Sequence, residues 1–225
     1  MEMVQTVARH DGPRGEVVLR RRSGTGPDVD ELIVNGVFAM DSSETLTERA
    51  LADLALAGEG PSRVLLGGLG LGYTAARLLA ADVDHLDVVE IEDCLVGWAR
   101  AGLTPTLATV ARHPQVALHA ADVTTVLDGR WPGLRGPWNA IVLDVDNGPD
   151  FLIHGSNSAL YTPSSLAAAY GQLAGGGTLA IWCQGPAPVL MDRLRAISAS
   201  ARPHTYERVR HGRRLSSVIY TVTRP

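Results

Sequence analysis

Apolar residues recur along the chain with two different periods, and the change of period marks out the architecture. Residues 1–15, with Gly12-Pro13 and Gly15, read as loosely ordered. Glu16–Arg22 reads as a strand, and Ser23-Gly24-Thr25-Gly26-Pro27 as a turn cluster. Glu31–Val34 and Val37–Met40 flank Asn35-Gly36 and predict a β-hairpin, because Asn-Gly supplies the two positive φ angles of a type I′ turn. Residues 1–42 are thus expected to form a small N-terminal β-element, and residues 43–225 the main domain. Ser43 precedes a helix predicted over Glu44–Ala57, with Leu46, Ala50, Leu54 and Ala57 on one face.

From Arg63 onward short apolar runs alternate with helical patterns. Strands are predicted at Val64–Leu66, His85–Val89, Val116–His119, Ala140–Leu143 and Thr178–Cys183. Helices are predicted from the glycines after Leu66 to about Ala80, and over Glu92–Ala101, Ser164–Leu173 and Pro188–Ser198. Tyr206–Arg210 and Leu215–Val222, joined through His211-Gly212-Arg213, read as a terminal hairpin. Apolar strands alternating with helices imply an α/β fold with a mostly parallel sheet buried on both faces.

Composition narrows the chemistry. The chain has 225 residues, 45% hydrophobic and 20% charged, as in an ordinary globular protein. All 20 basic residues are Arg, which excludes a pyridoxal phosphate Schiff base and a P-loop lysine. The net charge is −4, and Arg20-Arg21-Arg22 reads as a solvated strand face, so no nucleic-acid partner is expected. No segment approaches the roughly 18 apolar residues of a membrane helix. The N-terminus lacks a signal-peptide core, so a cytoplasmic location and no membrane partner are expected. Cys94 and Cys183 read as two buried free thiols, and without CxxC or HExxH no metal is expected. His113 and His119 read as packed or surface residues.

The strand Val64–Leu66 runs into Gly67-Gly68-Leu69-Gly70-Leu71-Gly72. Gly68, Gly70 and Gly72 make a GxGxG loop, where the backbone turns tightly and approaches a ligand closely. Glu90 ends the second strand, where a carboxylate accepts hydrogen bonds from two ribose hydroxyls. Asp122 follows the third strand, at the adenine edge. The ends of adjacent parallel strands form one crevice at the switch point of such a sheet. Gly70 to Ala75 also fits the GxGxxA of a nicotinamide site, against which the terminal hairpin argues.

Several segments, in order, resemble the spermidine synthase family, from about Leu32 to Pro186. VLLGGLGLG resembles its glycine motif. VVEIEDCLVGWAR resembles its ribose segment, with Glu90 and Ile91. HAADVTTVL resembles its adenine segment, with Asp122 and Val123. WNAIVLDVDNGP resembles the strand and loop that carry the catalytic Asp, which falls on Asp144. ALYTPSSLAAAYGQLAGGGTLAIWC and ELIVNGVFAMDSSETLTE resemble the flanking helix and strand and the N-terminal hairpin. The resemblance implies a class I methyltransferase-type Rossmann-like fold with a C-terminal antiparallel hairpin. It also implies binding of S-adenosylmethionine, its decarboxylated form or methylthioadenosine, a small-molecule acceptor, and a homodimer.

The sequence also departs from that family. Gly70 stands where the family has the Asp that holds the donor's amine. Thr47-Glu48-Arg49 replaces a Tyr-His-Glu run and brings in a cation. Ala39 and Trp182 replace two Gln residues, and Asn147 replaces the second loop Asp, with Asp146 beside it. Polyamine specificity is therefore not expected, and S-adenosylmethionine is favoured over the decarboxylated donor. Asp144 is the candidate general base, taking a proton from an attacking amine or hydroxyl as the sulfonium leaves. Asp146 is a candidate to orient the acceptor. Asn147 to Leu160 reads as a long loop walling the acceptor. Asn147, His154, Tyr161 and Tyr73 are candidate substrate contacts, while Trp98 and Trp182 read as core. Three readings stay open: transfer of methyl or a larger alkyl group from S-adenosylmethionine, aminopropyl transfer to putrescine, and a catalytically silent nucleotide-binding scaffold.

Overall fold

A computed structural model describes residues 2–57, 62–145, 148–149, 152, 155–210 and 213–225; of residues 156, 208–210 and 213–215 only the backbone is described. Asp146, the candidate to orient the acceptor, and Asn147, Phe151 and His154 of the predicted acceptor wall lie outside the described residues.

The N-terminal element is a four-stranded antiparallel meander of β1 (Met3–Gly12), β2 (Gly15–Ser23), β3 (Val29–Val34) and β4 (Val37–Asp41). Asn35 and Gly36 have φ of 53° and 74°, as the Asn-Gly turn predicts. The strand β1 corrects the expectation of a loosely ordered start. Gly12 pairs with Gly15 across a tight turn, and Gly15 has φ of 108°. Gly12-Pro13 and Gly15 are therefore turn chemistry rather than looseness. The strand was hidden because Met3 and Val4 are exposed and only Val7 and Ala8 pack inward.

The main sheet has seven strands in the order β10-β11-β9-β8-β5-β6-β7. They are β5 (Arg63–Gly67), β6 (His85–Glu90), β7 (Val116–Ala120), β8 (Trp138–Leu143), β9 (Leu173–Cys183), β10 (Arg202–Arg210) and β11 (Arg213–Thr223). β5 through β9 pair in parallel, while β11 pairs antiparallel with both β9 and β10. Helices cover both faces. α5 (Val123–Leu127), α6 (Pro163–Gly171) and α7 (Pro188–Ile197) pack on one face through Val126, Leu166 and Leu190. α1 (Leu46–Ala55), α2 (Tyr73–Ala80), α3 (Asp93–Ala101) and α4 (Pro105–Arg112) pack on the other through Leu51, Leu78, Ala99 and Leu107. Val17, Leu19, Leu32 and Val34 of the meander join that second core. Strand residues alternate between the two: Leu65 and Ile141 face one, Leu66 and Val142 the other.

Other boundaries differ from expectation. α4 and α5 were not predicted. α4 starts at Thr104-Pro105, where the Thr104 hydroxyl accepts from the Leu107 N–H at 3.2 Å, a cap-plus-proline start. α5 is five residues long, too short for a periodic signal. The buried residues of α1 are Thr47, Leu51, Ala52 and Ala55, so its inner face is rotated from the predicted one, and Leu46 is exposed. β9 begins at Leu173, five residues early, because the Gly175–Gly177 stretch is held to Arg224 by backbone hydrogen bonds. Cys183 is buried but Cys94 is only partly so; burial, then the Glu92 charge, pushes the Cys94 thiol up to about 11.

One ion network is centred on a buried carboxylate of β6. Asp87, 2% exposed, accepts from His85 and His119 at 3.2 Å each and pairs with Arg63 at 3.3 Å. Burial alone would raise this carboxyl, but the His119 hydrogen bond, His85 and the Arg63 charge hold it below the ordinary range. A depressed carboxyl contributes stability that is present above its unfolded pKa and is lost as pH falls through the folded value. Asp87→Ala is expected to cost about 2 kcal/mol at pH 7. Urea denaturation should show the gap to the parent protein shrinking in acid. Equal destabilisation at both pH values would show that the network's charge is irrelevant.

Candidate active site

The carboxyl ends of β5, β6, β7 and β8 open into one cleft, roofed by the N-terminal hairpin and α1. Gly68, Gly70, Glu90, Ile91, Asp122, Val123 and Asp144 all line it, from four different strand ends.

The glycine loop is shaped by contacts that side chains would block. Gly68 has φ of 92°, and a Cβ there would lie 2.1 Å from the Asp144 carbonyl oxygen. Gly70 has φ of 51°, and a Cβ there would lie 2.7 Å from Met40 Sδ. Met40 thus packs over the place where the resembled family carries its Asp, and its Sδ accepts from the Leu71 N–H at 3.3 Å. Gly72 has φ of 86° and leads into α2, without lining the cleft.

Glu90 ties this loop to β6. Its Oε2 accepts from the Leu69 N–H at 2.7 Å and its Oε1 from the Glu92 N–H at 2.8 Å. Burial, opposed by those backbone hydrogen bonds, pushes its carboxyl above the ordinary range. Glu90 lines the cleft, and a carboxylate has more acceptor positions than these backbone donors use, which suits two vicinal hydroxyls. Arg14, at the tip of the β1–β2 turn, donates to the Ile91 carbonyl and pairs with Glu92 at 3.1 Å. The N-terminal sheet therefore braces the turn that follows Glu90. Asp122 caps α5, its Oδ1 accepting from the Thr124 N–H at 2.8 Å and hydroxyl at 2.7 Å. That fixes the carboxylate's direction at the outer edge of the cleft.

Asp144 follows β8 at the seam between the two halves. Its backbone N–H donates to the Gly67 carbonyl at 2.9 Å, and its Oδ2 accepts from the Thr74 hydroxyl at 2.6 Å. Burial raises its carboxyl, and the Thr74 hydrogen bond pulls it back. The cleft is also lined by Trp182, which follows the last β8–β9 pair Leu143–Ile181, by Glu48 of α1, and by Ala39 and Met40 of the hairpin.

Several expectations are corrected here. Trp182 lines the cleft rather than the core alone, and its buried Nε1 has no hydrogen-bond partner among the described residues. Arg49 is exposed and brings no cation in, whereas its neighbour Glu48 lines the cleft. Tyr73 packs against the core behind the glycine loop, and Tyr161, 2% exposed, is a core residue of the opposite face; neither lines the cleft. The predicted loop up to Leu160 ends in a 3-10 helix over Gly155–Tyr161, which places Asn157 and Leu160 in the wall. The signal for Thr74 was present, as a hydroxyl in the first turn after the glycine loop. Its partner is seventy residues away in sequence, so spacing could not reveal the contact.

Among the described lining residues five carry carboxylates, namely Glu48, Glu90, Glu92, Asp122 and Asp144, and none carries a cation. Such a cleft focuses a negative potential that suits a cationic ligand. No group of His, Cys, Asp or Glu suited to a metal ion occurs among the described residues, nor does a helix long and apolar enough to cross a membrane.

No family model matches the sequence, and no curated protein matches it. Solved structures do. The chain is similar to a spermidine synthase crystallised in complex with the transition state analogue AdoDATO, with a TM-score of 0.78, 16% identity, and coverage of 96% of this chain and 73% of that one. It is also similar to the spermidine synthase from Thermotoga maritima, with a TM-score of 0.76, 14% identity, and coverage of 96% and 72%.

Proposed function

We propose that this chain, which has the spermidine synthase fold, moves an alkyl group from a decarboxylated S-adenosyl donor to an amine, with Asp144 as the base. The observation that carries this reading is that every charged residue among the described lining of the cleft is acidic. A sulfonium donor and an amine acceptor are both cations there, and both gain from the field. A donor that kept its own carboxylate would add a negative charge beside Glu90 and Asp144, with no cation among the described lining residues to pair with it, Arg14 being already paired with Glu92. This reverses the preference for S-adenosylmethionine drawn from the missing carboxylate at Gly70.

The residues divide the work by position. Glu90 takes the ribose hydroxyls and Asp122 faces the adenine edge. Asp144 stands where the nucleoside half meets the half walled by Trp182 and Glu48. The neutral amine attacks the carbon bonded to sulfur. The C–N bond forms as the C–S bond breaks, the sulfonium becomes the thioether of methylthioadenosine, and the nitrogen's proton passes to Asp144. Displacement at carbon needs no further catalyst, so alignment supplies much of the rate. Glu48, which lines the same half of the cleft, is the carboxylate that a second ammonium of the acceptor would meet.

A second reading, methyl transfer from S-adenosylmethionine, draws on Gly70 and Met40, which leave no carboxylate on the glycine loop for a donor amine. One experiment separates the two. Calorimetry should rank decarboxylated S-adenosylmethionine and methylthioadenosine above S-adenosylmethionine, with NAD not bound. Incubation with the decarboxylated donor and putrescine should release methylthioadenosine at about 1 per second. Tighter binding of S-adenosylmethionine, with no release, would favour the methyl-transfer reading. No binding of any adenosyl nucleotide would leave a silent scaffold. The homodimer and the cytoplasmic location belong to the same proposal, and light scattering tests the first.

A further inference from the structure

Among the described residues Asp144 is held by one side chain, and that side chain belongs to the nucleotide loop's own helix. Thr74 is the second residue of α2, the helix that Gly68–Gly72 leads into. It is 3% exposed, and its Oγ1 lies 2.6 Å from Asp144 Oδ2. No other hydrogen bond reaches the Asp144 carboxyl among the described residues. The backbone holds the same pairing from below, since Gly68 approaches the Asp144 carbonyl too closely for any Cβ. The glycine loop and the base are thus joined twice, once through main chain and once through Thr74.

We propose that Thr74 is a positioning residue of the proposed transfer: its hydroxyl holds Asp144 Oδ2 against α2, so that Oδ1 is the oxygen presented to the acceptor amine. The chemistry of the pair supports the role. A hydroxyl donates one hydrogen, and a carboxylate receives it best when ionised. The contact therefore favours the form of Asp144 that can take a proton. A β-branched side chain has one preferred χ1 in a helix or splits between two for Thr, and burial leaves Thr74 little room to change. The donor's direction is fixed before any ligand arrives. When Asp144 takes the acceptor's proton on Oδ1, the Thr74 hydrogen bond weakens, which favours return of the proton to solvent for the next cycle.

This rests on Asp144 being the base, so the test reads the pair before it reads the reaction. Protein with 13C-labelled aspartate carboxyls is titrated by NMR, with Asp144→Asn assigning the Asp144 signal. In Thr74→Val the Asp144 titration should move to higher pH, and in Thr74→Ser it should return most of the way to the parent curve. Methylthioadenosine affinity should stay within about twofold in both, since Thr74 does not line the cleft. Methylthioadenosine release from decarboxylated donor and putrescine should fall about tenfold at neutral pH in Thr74→Val, the worth of one hydrogen bond to a charged group. Part of that loss should be recovered as pH rises. An unmoved Asp144 titration in Thr74→Val overturns the proposal. So does loss of release in Thr74→Val that Thr74→Ser fails to rescue, which would mark a packing defect. A moved titration together with full activity in Asp144→Asn would overturn the assignment of the base, and the positioning role with it.

Discussion

Asp144→Asn should lower turnover on the order of 100-fold or more while raising the melting temperature at neutral pH. Both halves of that result follow from where the carboxyl sits. Burial drives its protonation upward, and among the described residues only the Thr74 hydroxyl opposes it. A carboxyl raised above its unfolded value contributes stability that is full below the unfolded pKa and is lost as pH rises through the folded one. At neutral pH, well above the unfolded value, the parent protein therefore bears the cost of that raised carboxyl. The amide of Asn carries no charge and still offers an oxygen to the Thr74 hydroxyl, so that cost disappears. Activity goes the other way, because an amide cannot take the acceptor's proton. In the parent protein kcat/KM should rise with pH through the raised carboxyl value, and in the variant the rise should vanish. Methylthioadenosine affinity should be unchanged. Scanning calorimetry and initial rates on the same preparation check the two halves together. Undiminished turnover would reduce Asp144 to a residue that starts a turn.

How much of this was legible in the sequence depended on the kind of signal. The parallel strands, their glycine loop and the Asn35-Gly36 hairpin carry local codes, namely apolar runs, positive-φ residues and turn dipeptides, and the structure places them within a few residues. β1 had no such code, since most of its side chains face water and only its ladder with β2 makes it a strand. Convergence of Glu90, Asp122 and Asp144 on one cleft followed from their places at successive strand ends, because parallel strands align their carboxyl ends by topology alone. What topology does not specify is which face of a helix turns inward. α1 was read from Leu46, Ala50 and Leu54; Ala50 and Leu54 pack at the edge of the core, but Leu51 and Ala55 are the buried positions and Leu46 is exposed. That rotation puts Glu48 in the cleft and Arg49 in solvent, which reverses the sign of the charge expected there. Met40 and Thr74 were missed for a related reason. Each matters through one atom of a partner far along the chain, Gly70 for Met40 and Asp144 for Thr74, and no periodicity records such a contact.

Glu90→Gln should weaken binding of methylthioadenosine by about 1–3 kcal/mol, and Glu90→Ala by at least as much. The substitution to Gln keeps size and shape, so it isolates the role of the carboxylate. Both Glu90 oxygens already face backbone donors, the N–H of Leu69 on one side and the N–H of Glu92 on the other. An amide must turn its own NH2 toward one of them, setting donor against donor and leaving a buried N–H without an acceptor. The Leu69 contact is part of the glycine loop, so that conflict moves the loop as well as the ribose site. The Ala variant removes the acceptor altogether and orphans both N–H groups. Protonation offers a third way to the same end. Burial raises the Glu90 carboxyl and the backbone donors restrain it. A ribose that donates two hydroxyl hydrogens prefers the ionised form, so affinity should increase as pH rises through the raised value. The free protein loses stability over the same window, for the same sign reason as at Asp144. Isothermal calorimetry across that window, on parent and Gln variant, checks the pair of statements. The parent affinity should climb with pH and the variant affinity should stay flat. A Gln variant that binds as tightly as the parent would remove Glu90 from the nucleoside site and leave it as a brace for the loop.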